Sequence, residues 1–235
     1  MVSFPRYSIY YAASHGTLLD QFGAKLLGYD AWTGEDLPFP EKVLEAVPDW
    51  AELTQEPRKY GFHATLKAPF SLAQGKTEAD LLAACANFAD TPRPIPTIRP
   101  VVNLISGFTA VIPAEPSVEV ERLASDCVRA FDCFRAPLTA EDRARRNPQK
   151  LNARQIEYLD RWGYPYVMEE FRFHMTLTGR LVSARREAVL AFLRERFSKI
   201  GLAELAIDGI ALFRQTMASS RFQIVGHWPL RVPRR

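Results

Sequence analysis

Apolar residues recur with two different periods along this chain of 235 residues. From Tyr7 to Ala13 the run YSIYYAA is aromatic and β-branched and predicts a strand. TLLDQFGAKLLG after it spaces Leu18, Leu19, Phe22, Leu26 and Leu27 as a helix does. Residues 29–59 are rich in proline, glycine and charge, and predict a long loop around one short helix at EKVLEAV. YGFHATLKAPF, from Tyr60 to Phe70, alternates again and predicts a strand. KTEADLLAACANFAD opens with a threonine cap and an acidic first turn, and carries Leu81, Leu82, Cys85 and Phe88 at helical spacing. VVNLISGFTAVIPA predicts two strands that turn near Ser106 and Gly107.

The second half repeats the order. SVEVERLASDCVRAFDCF predicts a helix, residues 137–165 a second charged insertion with a helix in LNARQIEYLDRW, and FRFHMTLTGRL, from Phe171 to Leu181, a strand. SARREAVLAFLRERFSKI predicts a capped amphipathic helix, then LAIDGIALF and RFQIVGHWPL predict strands. Each half thus reads strand, helix, insertion, histidine strand, helix, strand. The expectation is an α+β fold with an internal duplication, pseudo-repeats near 1–113 and 114–235 forming one bilobal domain over 1–235. Each lobe would carry a mainly antiparallel sheet with helices outside, and a central cleft would lie between the lobes.

The two histidine strands align as aromatic, any residue, Phe, His, any residue, Thr, Leu. Side chains two apart on a strand share a face, about 6.6 Å from each other. His63 and Thr65 therefore share one face, with Phe62, Ala64 and Leu66 on the other. His174 and Thr176 share a face with Arg172 and Thr178, opposite Phe171, Phe173, Met175 and Leu177. With four histidines in the chain, two chance His-x-Thr triplets arise in roughly one or two sequences per hundred, before the flanks are counted.

Two imidazoles facing one cleft suit attack on a phosphodiester. One, neutral, takes a proton from water, and the other, protonated, supplies a proton to the alkoxide that leaves. The hydroxyls of Thr65 and Thr176 are placed to donate to non-bridging phosphate oxygens. Arg172 precedes His174 by one same-face step, in reach of the phosphate. Lys67 lies one same-face step past Thr65, at the cleft edge, and Tyr10 on the first strand is a candidate platform for a sugar or base.

Composition narrows the setting. With 47% hydrophobic and 24% charged residues the chain has the make-up of an ordinary globular protein, and a formal net charge of +3 suits an anionic small ligand rather than bulk nucleic-acid coating. The cysteines, Cys85, Cys127 and Cys133, form no CxxC pair, and reduced thiols in a cytoplasmic protein are expected. No run approaches the ~20 apolar residues of a membrane span, and the start lacks the aliphatic core of a signal peptide.

The motifs HATL at His63 and HMTL at His174 resemble the paired motifs of the two-histidine (2H) phosphoesterase superfamily. The flanks KYGFHATLKAPF and FRFHMTLTGRL and the ending LFRQ…RFQIVGHWPL are similar to its branch of phosphonate-metabolism proteins, often encoded near carbon–phosphorus lyase genes. The resemblance implies a bilobal α+β fold, cyclic phosphodiester substrates, and catalysis without a metal or other cofactor. His63 and His174 would be the acid/base pair, with Thr65 and Thr176 as phosphate ligands. A phosphoribosyl 1,2-cyclic phosphate is the expected substrate, and nucleoside 2′,3′-cyclic phosphates or RNA ends are the alternative.

Two other readings carry weight. A metallophosphodiesterase needs three or more ligands, yet neither motif contains His-x-His or a same-face carboxylate at strand spacing. A non-catalytic RNA-binding module is suggested by RARRNPQKLNAR, from Arg143 to Arg154, a run that usually marks a solvated helix face. The base, the acid and the oligomeric state stay open at this level.

Overall fold

The computed structural model describes residues 3–233. Its strands are β1 (Arg6–Tyr11), β2 (Ala64–Ser71), β3 (Thr97–Ile98), β4 (Pro100–Ile105), β5 (Phe108–Pro113), β6 (Met175–Thr176), β7 (Leu205–Ala206), β8 (Gly209–Gln215) and β9 (Gln223–Pro229). One seven-stranded sheet runs β4, β5, β6, β2, β1, β8, β9, antiparallel at every step, and β3 pairs with β7 alone. The expected α+β class with its antiparallel sheet is present. The sheet is continuous because the short β6 pairs on one side with β5 and on the other with β2.

Three strands lie on the β6 side of the β6–β2 boundary and four on the β2 side, where β9 forms the edge. β6 is followed outward by β5 and β4, and β2 by β1 and β8. β4 pairs with β5, and β8 lies between β1 and β9. β4 and β5 form a hairpin whose last pair is Ile105 with Phe108. There Ser106 (φ 49°) and Gly107 (φ 90°) both take left-handed conformations, as a two-residue hairpin turn requires.

Helices cover one face of the sheet. Glu78–Asp90, Val118–Phe131 and Arg186–Ser198 place Leu81, Cys85, Leu123, Cys127, Val189 and Leu193 in one core with Ile9, Ala64, Leu66, Val111 and Met175. The first two start as the sequence signals: Thr77 and Asp80 form a reciprocal capping box, and the Ser117 hydroxyl accepts from the Val120 amide. The third lacks its expected cap, because Ser183 opens a 3-10 turn and Arg185 stands at the helix start with no side-chain cap bond. The opposite face carries a smaller cluster in which Tyr29 and Ala31, at the start of the first insertion, pack with Tyr10, Ala211, Phe213 and Phe222. Trp50 anchors that insertion, fully buried with its indole N–H donating to the Leu26 carbonyl at 2.7 Å. Truncating such a side chain costs about 3–5 kcal/mol. Among the described residues no helix is long and apolar enough to cross a membrane.

Candidate active site

The β2–β6 register builds the site. Ala64 and Met175 are Cα partners in this antiparallel pair. One residue further in each direction, His63 falls opposite Thr176 and Thr65 opposite His174. The partner residues are fully buried among the helices, so strand alternation turns the two histidines and two threonines to the other face. Directly opposed side chains in such a pair have Cβ atoms roughly 5 Å apart, and diagonal ones about 7–8 Å. Each histidine thus has its own threonine one same-face step away and the other motif's threonine across the strands.

Both imidazoles are held alike. His63 Nδ1 lies 2.9 Å from the Gly61 carbonyl, and His174 Nδ1 lies 2.7 Å from the Arg172 carbonyl. A carbonyl only accepts, so Nδ1 carries the proton in both rings and Nε2 is left as the reactive nitrogen. In His63 that atom is 3.3 Å from the Thr65 hydroxyl, which donates to it when the ring is neutral. Thr176 has no side-chain hydrogen bond among the described residues.

Two glycines allow this seating. Gly61 has φ +72°, and a Cβ there would lie 2.6 Å from the Ala31 Cβ. The Phe62 ring lies flat on Gly23, where a Cβ would come within 2.0 Å of it. The helix Leu18–Leu27 thereby receives the residue just before His63.

The two rings differ in surroundings. His63 stacks on Tyr10 with centroids 3.7 Å apart and an angle of 19°, and the rings of Tyr60 and Phe213 lie 6.2 and 5.9 Å away. Burial in this aromatic slot, aided slightly by the neighbouring His174, pushes the His63 pKa down to about 4 against the pull of the Gly61 carbonyl. Burial also lowers His174, opposed by its bond to the Arg172 carbonyl. His174 and Thr65 line a cavity of about 250 Å³ together with Ser106, Phe108, Tyr164 and Arg172. Tyr164 comes from the second insertion, which therefore helps to wall the site.

Two of the expected ligand contacts are built differently. Lys67 does not reach the cleft edge. β2 carries an irregularity that sets Thr65 opposite Tyr10 but Lys67 opposite the adjacent Ile9. The extra residue, Leu66, breaks the alternation and turns Lys67 to the helix side. There it is 3% exposed and donates to Asp132 at 2.9 Å and to the Val128 carbonyl at 3.2 Å. Tyr10 is not an open platform, because its ring is 1% exposed and its face is covered by His63. It supports the histidine instead.

Arg172 is exposed and lines the His174 cavity, with one guanidinium nitrogen donating to the Glu169 and Phe171 carbonyls at 3.0 and 2.6 Å. The second histidine strand is far shorter than its pattern predicts. Only Met175–Thr176 pairs as strand, because the Leu177 and Thr178 amides both turn to the Thr109 carbonyl and the Gly179 amide turns to Leu53. Thr178 is consequently buried against Thr109 rather than facing the site. Among the described residues no group of three or more His, Cys, Asp or Glu side chains is arranged to hold a metal ion.

Sequence reasoning missed the carbonyls of Gly61 and Arg172 as histidine anchors, and it missed Tyr164. A signal for the anchors existed, since both lie two residues before a histidine. No comparable signal marked Tyr164, which arrives from a distant insertion.

The chain is 35% identical over 226 residues to "Ribose 1,5-bisphosphate phosphokinase PhnN" of Janthinobacterium sp. (strain Marseille), across 94% of this chain and 49% of that protein. It is 32% identical over 220 residues to the protein of the same name from Laribacter hongkongensis (strain HLHK9), across 93% of this chain and 50% of that one. The chain thus spans about half the length of the curated relatives it matches. Superposed on the crystal structure of E. coli LigT complexed with 3′-AMP, it covers 97% of this chain and 98% of that one, with 13% identity and a TM-score of 0.41. The family described as "Protein of unknown function (DUF1045)" matches residues 65–223, from the threonine of the first motif through the whole of the second. Since that match takes in well over half of its length, the chain belongs to the DUF1045 family.

Proposed function

We propose that this chain hydrolyses a small cyclic phosphodiester by acid–base catalysis between His63 and His174, with no metal or other cofactor in the reaction. The observation that carries this reading is the Ala64–Met175 pairing, which turns both His-x-Thr motifs onto one face with both Nδ1 atoms tied back to the chain. The paired motifs of the two-histidine phosphoesterases support the same chemistry.

His63 is the base in this scheme. Its aromatic slot keeps it neutral down to about pH 4, with Nε2 free to take a proton from water. The water oxygen bonds to phosphorus as the bond from phosphorus to the leaving oxygen breaks. His174, protonated in the complex by the nearby phosphate charge, gives its proton to that oxygen. The Thr65 hydroxyl swings from His63 Nε2 to a non-bridging oxygen, and Thr176 donates to another. Arg172 at the cavity rim adds attraction for the phosphate.

The first candidate substrate is a 5-phosphoribosyl 1,2-cyclic phosphate, in the setting of phosphonate breakdown. Opening its bond from phosphorus to O2 yields ribose 1,5-bisphosphate, the compound in the name of the curated relatives. Against a non-catalytic RNA-binding module, Arg143 is paired with Asp160 and Arg145 with Asp142, which removes free charge from the basic run.

The test is incubation, in the presence of a chelator, with a panel of ribosyl 1,2-cyclic phosphates and nucleoside 2′,3′-cyclic phosphates, followed by phosphorus NMR. Ring opening that disappears in His63→Ala and His174→Ala supports the reading. No turnover of any member, or full activity in either variant, rejects it.

A further inference from the structure

A second cavity, of about 240 Å³, adjoins the histidine site and is lined by Arg6, Tyr60, Arg135, Asp142, Arg145 and Arg146 among others. Four guanidinium groups thus meet one carboxylate. Arg135 is tied to Asp132 at 2.8 Å and Arg145 to Asp142. Arg6 and Arg146 have no carboxylate within ion-pair distance among the described residues. Arg6 has only a long bond to the Gln215 side chain at 3.5 Å and a place 5.8 Å from the Phe222 ring, and Arg146 stacks 5.0 Å over Tyr164.

Burial, with the positive charges of Arg146 and Arg145, holds the Arg6 guanidinium below its ordinary value against the opposing effect of Tyr60 and Tyr10. Like charges gathered in a partly buried hollow are unfavourable until an anion enters. The planar forks of arginine match a phosphate's oxygens.

The two cavities share a wall. Ala68 of β2 lines the histidine cavity and the next residue, Pro69, lines this one. Tyr60 lines the arginine cavity with its ring 6.2 Å from that of His63, while Tyr164 lines the histidine cavity and carries Arg146 on its ring. Arg6 lies on the same strand as Tyr10, two same-face steps or roughly 13 Å along it, a distance that the long side chain shortens. The arginine run that reads in sequence as a solvated helix face therefore brings Arg146, partly buried, to this cavity, with Arg145, exposed and paired with Asp142, at its rim. The hollow has room for about eight waters at their liquid volume, which suits a phosphate group rather than a polymer strand.

We propose that the Arg6–Arg145–Arg146 cavity binds a terminal phosphate monoester of the substrate, so that the enzyme selects cyclic phosphodiesters that carry a second phosphate a sugar's length away. This rests on the cyclic phosphodiesterase reading for the identity of the substrate, but the anion site can be tested without turnover.

The experiment is calorimetric titration of D-ribose 5-phosphate, D-ribose and inorganic phosphate into the wild type, Arg6→Gln, Arg146→Gln, Arg146→Lys and His63→Ala, with thermal melting to verify folding. Ribose 5-phosphate should bind the wild type and His63→Ala alike, and ribose should not bind. Arg6→Gln and Arg146→Gln should each weaken binding roughly 10- to 100-fold, with partial recovery in Arg146→Lys. In parallel, kcat/KM is compared for ribosyl 1,2-cyclic phosphate with and without its 5-phosphate, and the preference for the phosphorylated member should collapse in the glutamine variants.

No binding by the wild type, or equal binding by folded Arg6→Gln and Arg146→Gln, overturns the proposal. Inorganic phosphate binding as well as ribose 5-phosphate, with both cyclic substrates turned over equally, would make this a site for free phosphate and also overturns it. Arginine-dependent binding of ribose 5-phosphate without turnover of any cyclic diester supports the anion site and rejects the diesterase reading instead.

Discussion

Ala64 faces Met175 across the β2–β6 pair, and both point away from the site that their pairing creates. The register matters because side chains alternate strictly: a slip of one residue would bring alanine and methionine to the reacting face and bury the histidines among helices. The helix-side core, which holds Ala64, Leu66, Val111 and Met175 together, fixes that register. Packing on one face thus decides chemistry on the other.

If the imidazoles act as a pair, His63→Asn and His174→Asn should each lower kcat at least ~100-fold. The double variant should be little worse than the poorer single one, because groups that act as a unit are not additive. Single-turnover kinetics on a cyclic phosphate would show this, and a double variant losing the product of both single effects would contradict it.

The His63 environment makes a stability prediction. Its pKa is about 4 in the folded protein and near 6.5 in an unfolded chain, so between these values the unfolded state binds more protons. The stabilisation is fully present above about pH 6.5 and is lost as pH falls toward 4, on the order of 2 kcal/mol between pH 7 and 4.5. Urea denaturation at both pH values should show this loss in the wild type and a smaller one in His63→Gln. In catalysis, kcat/KM should fall on the acid side as His63 takes a proton and on the alkaline side as His174 gives one up. Burial lowers the His174 pKa, so the optimum should lie below pH 7.

Tyr10 acts through His63. Tyr10→Phe keeps the stacked ring and should retain kcat within about threefold, whereas Tyr10→Ala frees the imidazole and should lower kcat roughly 10- to 100-fold with a smaller change in KM. Restored hydration in Tyr10→Ala should also raise the His63 pKa, measurable by NMR titration of the ring protons.

Gly61→Ala meets both a positive φ and the Ala31 Cβ at 2.6 Å. A stability loss of about 1–3 kcal/mol is expected, together with a weakened hold on His63 Nδ1 as the carbonyl shifts. Denaturation and kcat should therefore fall together here. Arg172→Ala, which keeps the equivalent carbonyl at the second histidine, should spare stability and raise KM.

Lys67 supplies the contrast. Lys67→Ala removes a buried partner of Asp132, although Arg135 still holds that carboxylate. The expected loss is about 2–4 kcal/mol in stability, with KM unchanged in the folded fraction. A raised KM without destabilisation would return Lys67 to the site.

Much of the local structure is written in short-range pattern. The helix starts at Thr77 and Ser117, the turn at Ser106–Gly107, and the greasy backs of both histidine strands follow from residue type and period, since caps, turns and alternation depend on near neighbours in the chain. The repeated His-x-Thr pairs were legible for the same reason, as were their threonines. Lys67 and Tyr10 were misplaced because a one-residue irregularity and a stacked ring are set by the neighbouring strand, which no local pattern encodes.

From residue types and spacing alone follow two polar-faced histidine strands and the helices that flank them. Only the folded sheet decides that β2 and β6 lie side by side, that each histidine faces the other motif's threonine, and that Arg6 meets Arg145 and Arg146 at a neighbouring hollow. Strand pairing and cavity walls join residues far apart in the chain, and their geometry is fixed by the packing of the whole core rather than by any stretch of it.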